Sequence, residues 1–159
     1  MDVGNKVEFV THSPEETVEL GSKLARQLPR PCVILLQGEL GSGKTTLVKG
    51  IVAGLGAARE EDVTSPSFTL VHEYGRELKV YHADLYRVEG LPDLATLGLE
   101  DLLEQRATVI IEWGEKFPSQ DVEAQIRIHM EMLGSDERRV VIEGLDEWFN
   151  PFERRKCAI

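Results

Sequence analysis

Apolar and polar residues alternate along Lys6-Val7-Glu8-Phe9-Val10, the two-residue period of an edge or half-buried strand. The pattern then lengthens to a helical period. Ser13 supplies an N-cap, Pro14 a first-turn proline and Glu16 a capping-box carboxylate, which predicts a helix over about 14–27. Pro29-Arg30-Pro31 ends it and leads into the apolar run Cys32-Val33-Ile34-Leu35-Leu36, a buried strand. A second helix is predicted over 44–52, followed by a stop at Gly54-Leu55-Gly56 and a polar connection over 57–66. Residues 68–74 and 78–84 read as two strands joined across Gly75-Arg76-Glu77, a hairpin that puts an antiparallel element in the sheet. Leucines at helical spacing over 92–105, interrupted at Gly98, predict two short helices. Thr108-Val109-Ile110-Ile111-Glu112 is an apolar run closed by a carboxylate, the pattern of a central strand whose tip reaches a site. A final pair of strands, 124–132 and 138–142, flanks Gly134-Ser135-Asp136-Glu137, and the tail from Asp146 is read as partly helical.

Between the second strand and the second helix the chain reads Gly38-Glu39-Leu40-Gly41-Ser42-Gly43-Lys44-Thr45, a complete GxxxxGK[ST] phosphate-binding loop in the strand-loop-helix setting that the motif requires. Glycines there let successive N–H groups turn inward around phosphates, and the following helix adds its positive N-terminal end. Lys44 is a point charge for the β and γ phosphates, and the Thr45 hydroxyl suits a Mg²⁺ ion bridging them. A plain glycine turn would not need Lys44 and Thr45 at those places. The element order and this loop predict one P-loop NTPase domain over 1–159. Its fold class is α/β, a three-layer sandwich with a central mixed sheet, parallel in its core and antiparallel at its edge.

Composition narrows the partners. Eighteen Lys and Arg against 28 Asp and Glu give a formal charge of −10, which opposes unaided binding to a nucleic-acid backbone, so any nucleic acid would be held mainly by another protein. Arg154-Arg155-Lys156 is the one basic cluster, read as a solvated or docking tail. Two cysteines far apart, no signal-like N-terminus and no apolar run of membrane length point to a reduced, cytoplasmic protein with no membrane partner. The four histidines and two cysteines show no metal-ligand spacing.

Hydrolysis needs more than a phosphate cradle: a carboxylate for Mg²⁺ or its waters, and a group that orients the attacking water. Asp84 and Glu112 both end strands that can open on one crevice, although a strand-end carboxylate is also commonly just solvated. The hydroxyls of Thr64, Ser65 and Ser67 either contact metal or γ phosphate or belong to an ordinary proline turn. Trp113 packs against nucleotide, partner or core. His82 shares a strand face with Asp84 and reads as a core histidine ahead of a catalytic one. On these residues alone two other uses of the loop stay open, a small-metabolite kinase and a non-catalytic ATP-binding regulatory module.

Together these motifs resemble the TsaE family (also called YjeE), small bacterial P-loop ATPases of tRNA threonylcarbamoyladenosine (t6A) biosynthesis. The pieces are Ser13-Pro14-Glu15-Glu16-Thr17 with Leu20-Gly21, the loop through Thr46, Ser65-Pro66-Ser67-Phe68, His82-Ala83-Asp84-Leu85-Tyr86-Arg87, and Ile111-Glu112-Trp113 with Glu115. The resemblance implies ATP, with ADP as product, and Mg²⁺. The absence of an Asn-Lys-x-Asp guanine motif after the loop agrees. It implies nucleotide contacts from Gly38, Glu39, Leu40, Gly41, Ser42, Gly43, Lys44, Thr45 and Thr46, with Thr11, Ser65, Ser67 and Trp113. It assigns Thr45, Asp84 and Glu112 to the metal, and the last two to catalysis. It also implies work with TsaB and TsaD, the latter transferring the threonylcarbamoyl group, so that this chain hydrolyses ATP to drive or reset their complex and meets tRNA through it. Two departures stand out: Ser67 where threonine is more usual, and Gly114 where the family often has proline. After Pro118 little family signature is legible.

Overall fold

The computed structural model describes residues 5–28, 31–39, 41–64, 71–76, 79–84, 107–113, 124 and 126–145, with Asn5, Trp113 and Leu145 described by backbone alone. Chain order gives β1 (Asn5–Thr11), α1 (Pro14–Ala25), β2 (Val33–Gly38), α2 (Lys44–Gly54), a 3₁₀ turn (Glu60–Asp62), β3 (Val71–Tyr74), β4 (Val80–Asp84), β5 (Thr108–Trp113), β6 (Ile126–Met132) and β7 (Arg138–Leu145).

The start of α1 follows from its sequence. Ser13 Oγ accepts from the Glu16 N–H at 3.1 Å, which satisfies one orphan donor of the first turn, and Glu16 Oε1 accepts from the N–H of His12 at 2.7 Å, one residue before the N-cap N–H that a capping box uses. The helix ends at Ala25, two residues before the predicted end, because the last turn tightens: Gln27 N–H donates to Leu24 O at 2.9 Å and Leu28 N–H to Ala25 O at 3.3 Å. β2 runs past Leu36 to Gly38, since it is paired on both sides, with β5 as far as Gln37↔Trp113 and with β6 as far as Gly38↔Met130. β7 outlasts its predicted end at 142. Gly144, which reads as a strand breaker, sits at φ 91 as the extra residue of a bulge: Lys6 pairs with Glu143 and Asn5 with Leu145.

Seven strands form one sheet in the order β1-β7-β6-β2-β5-β4-β3. β6, β2, β5 and β4 run parallel, whereas β3 and the β7–β1 wing are antiparallel. The predicted parallel core, antiparallel edge and β3–β4 hairpin are therefore present. Ile34, Leu36, Ile110, Ile126, Ile128 and Ile142 pack with α1 and α2 in one core cluster. Leu35, Val109, Ile111 and Ala83, at the alternate positions, are fully buried as well. Burial on both faces is why the central strands read as unbroken apolar runs. Of the three expected layers, the sheet and the α1–α2 layer fall within the described residues; the predicted helices at 92–105 and the tail from Asp146 lie outside them.

α1 and α2 meet at backbone distance. A Cβ placed on Gly50 would lie 2.0 Å from Val18 O, one on Gly21 2.5 Å from Leu47 O, and one on Gly54 2.7 Å from Ser22 O. Only hydrogen fits there. This contact fixes the axis of α2, and hence the place of the loop that precedes it, against α1.

Candidate functional site

The loop after β2 and the first turn of α2 are built differently from the start of α1. Gly41 (φ 84) and Gly43 (φ 95) hold left-handed conformations that a side chain disfavours. Gly43 is the N-cap of α2, with no side-chain cap and no acidic residue in the first turn. The N–H groups there carry the positive end of the helix without a capping side chain, the condition in which a helix start attracts an anion.

Lys44 is 7% exposed, and its Nζ donates to Gly38 O at 2.7 Å and Glu39 O at 3.0 Å. The lysine is folded onto its own loop. Burial pulls its pKa below the ordinary lysine value, and the nearby carboxylates of Glu112, Asp84 and Glu39 work against that pull. Ser42 is fully buried, and its Oγ has no hydrogen-bond partner among the described residues, while its N–H donates to Glu39 O at 3.1 Å. Thr46 lies half-buried in the same first turn.

Sheet register brings the carboxylates to this loop. Leu36, Glu112 and Asp84 lie opposite one another on β2, β5 and β4 and so share one face. Glu112 is buried, and its Oε2 accepts from Thr45 Oγ1 at 3.3 Å and pairs with His82 Nε2. His82 is fully buried. Asp84 is half-buried. A hydroxyl and two carboxylates are hard oxygen donors of the kind Mg²⁺ takes, and a lysine beside an open helix start is a phosphate pattern.

Thr11, a predicted nucleotide contact, ends β1 opposite Arg138, the first residue of β7. Its hydroxyl meets that of Thr17 at 2.7 Å. Arg138 donates through Nη2 to Gly41 O at 3.4 Å and through Nη1 to Gly134 O, Ser135 O and Glu137 O at 2.9–3.2 Å. It thereby joins the β6–β7 turn to the loop. His12 Nδ1 lies 2.9 Å from Glu137 Oε2, tying the same turn to the β1–α1 junction. Leu40, Ser65, Ser67 and the side chain of Trp113 lie outside the described residues. Thr64 is described and exposed.

A family model, Threonylcarbamoyl adenosine biosynthesis protein TsaE, matches residues 11–140. The chain belongs to the TsaE family. A relative from Treponema pallidum, a tRNA threonylcarbamoyladenosine biosynthesis protein TsaE, is 35% identical over 133 residues, covering 84% of this chain and 97% of its own. Relatives of the same description from Bacillus subtilis and Synechocystis are 35% identical over 137 residues and 40% over 124; they cover 85% and 72% of this chain and 84% and 74% of their own. The crystal structure of Bacillus subtilis YdiB matches with a TM-score of 0.68 at 29% identity, over 89% of this chain and 87% of that one. The TsaE match runs to residue 140, beyond the Glu115 at which the motifs stop being legible, and so takes in β6 and Arg138. Arg138 was missed because it looks like any strand-opening arginine after a turn. Only its reach to Gly41, 97 positions earlier, sets it apart. The His82–Glu112 pair was missed as a pair because register, not spacing, creates it.

Proposed function

We propose that this TsaE chain binds ATP with Mg²⁺ and hydrolyses it to drive or reset a TsaB/TsaD-type transferase complex in t6A formation. One observation carries the proposal: Thr45, at the uncapped start of α2, is hydrogen-bonded to Glu112, which lies in register beside Asp84. Glycine loop and Lys44 take the phosphates of ATP; Thr45, Glu112 and Asp84 take the cation, directly or through its waters. Among the described residues no three His, Cys, Asp or Glu side chains gather into a metal cage, which suits an ion held largely by phosphate, hydroxyl and water. When bound, Mg²⁺ neutralises charge on the β and γ phosphates. The chain's own contribution is to hold the triphosphate against the α2 start and to keep a carboxylate beside it, through which an attacking water is oriented.

Family membership supports the t6A context, and ADP and phosphate would be the products. The net charge of −10 supports tRNA contact through the partners and not through this chain. Among the described residues no helix is long and apolar enough to cross a membrane. Phosphate release from Mg·ATP is measured with and without TsaB and TsaD, with Lys44→Ala as control. The expected outcome is slow release alone, stimulation by the partners, and neither in the variant. Absence of release in both conditions would leave a nucleotide-binding module, and phosphoryl transfer to a small acceptor would make it a kinase.

A further inference from the structure

Among the buried residues of the central strands, His82 and Glu112 are the costly ones, and His82 lies the deeper. It is the third residue of β4, fully buried, in a position whose cross-strand partner on β5 is Ile110. An apolar side chain would fill that place without the cost of desolvating an imidazole. Its ring instead reaches diagonally, one pair along the ladder, to Glu112 Oε2. The other ring nitrogen, Nδ1, is buried and has no hydrogen-bond partner among the described residues. With a carboxylate as its acceptor, Nε2 is the nitrogen that donates.

We propose that His82 is a positioning residue for Glu112: its Nε2–H holds Oε2 from below while Thr45 Oγ1 holds the same oxygen from the start of α2, which aims the carboxylate at the loop. Glu112 is buried and cannot be steered by solvent. Without the imidazole its terminal torsion is broad, and the carboxylate turns away from the place where Thr45 and the phosphates meet. Partners that orient ligating groups in this way typically change metal affinity or activity 10- to 100-fold when removed. The inference rests on the Mg·ATP function proposed above.

The test reads binding as well as turnover. The non-hydrolysable analogue AMPPNP is titrated calorimetrically into wild type, His82→Leu, His82→Asn and His82→Gln, with Mg²⁺ and with EDTA. The Gln amide nitrogen lies near the place of Nε2, whereas Asn is polar but too short to reach Glu112 and Leu keeps the volume with no donor. Expected results are a gain in affinity with Mg²⁺ for wild type, a loss of about two- to fivefold of that gain in the Leu and Asn variants, and recovery in Gln. Affinity in EDTA stays within about twofold throughout, and kcat falls further than the Mg²⁺ gain does, by roughly tenfold or more. In a Glu112→Ala background His82→Leu changes nothing further. Should one of the Leu or Asn variants not fold, the other against Gln still decides. An unchanged Mg²⁺ gain in either, a Gln variant as weak as Leu, or an undiminished His82 effect in the Glu112→Ala background would overturn the proposal. A wild type that gains nothing from Mg²⁺ would instead overturn the Mg·ATP function, and this inference with it.

Discussion

Lys44 carries a charge where water scarcely reaches, and two carbonyls of its own loop take its hydrogen bonds. Its pKa in the folded chain lies below the ordinary value of 10.5. Between those two values the unfolded chain holds a proton that the folded chain has released, so stability rises with pH across that window, and the cost of the buried charge is fully present below it. Lys44→Met removes this rise. Denaturant midpoints of the nucleotide-free protein between pH 8 and pH 10.5 will show a smaller upward trend in the variant than in wild type. At the carboxylates the expected effect is kinetic. Asp84→Ala and Glu112→Ala lower kcat by about 10²-fold or more while changing ATP affinity less than tenfold, because groups acting on the attacking water matter most in the transition state. Equal losses in kcat and affinity would contradict that division. Lys44, Thr45 and the two carboxylates were legible because chemistry constrains residue type within a short motif or at the end of an apolar run. What joins Glu112 to His82 and Gly41 to Arg138 was not legible, because sheet register brings together residues 30 and 97 positions apart.

The helices divide into what their own sequence dictates and what their neighbour dictates. Ser13, Pro14 and Glu16 announce the start of α1: the Ser13 cap is formed as predicted, while the Glu16 carboxylate takes the N–H of His12 in place of the Ser13 N–H of a capping box. Gly54 and Gly56 look alike in sequence as a stop signal, yet they do different work. Gly56 takes the left-handed turn at φ 76 with open space around it, whereas Gly54, Gly50 and Gly21 are where two backbones touch. No period reveals this, because it depends on which faces meet. Gly50→Ala must displace the Val18 carbonyl, which belongs to backbone and cannot swing aside. The expected cost is about 2–3 kcal/mol, a fall in Tm of roughly 5–10 °C. Gly56→Ala meets no atoms and pays only for its backbone conformation, about 1 kcal/mol. Thermal melts of the two variants side by side decide whether the crossing is as tight as described.

Across the whole molecule, the loop is set by three bodies: β2 behind it, α2 after it, and the β6–β7 turn held against it through Arg138. A ligand that engages all three stabilises the fold by mass action, by about 2.7 kcal/mol at a hundredfold excess over Kd. Mg·ATP is therefore expected to raise the Tm of wild type by roughly 5–10 °C and that of Lys44→Ala by far less, as read by calorimetry. The hairpins β3–β4 and β6–β7 were legible as local pairs joined by turns. The strand order was not, since it is fixed by crossovers whose ends carry no local mark. That order has a consequence for how the protein comes into being. β2, which delivers the phosphate loop, is flanked by β5 and β6, and both are encoded far downstream, ending at Trp113 and Met132. As the ribosome releases the chain, the loop emerges before the partners of its strand and waits, that strand unpaired on both sides, until β5 and then β6 have followed. A nascent or prematurely terminated product carries the entire GxxxxGK[ST] signature and still has nowhere to seat a nucleotide.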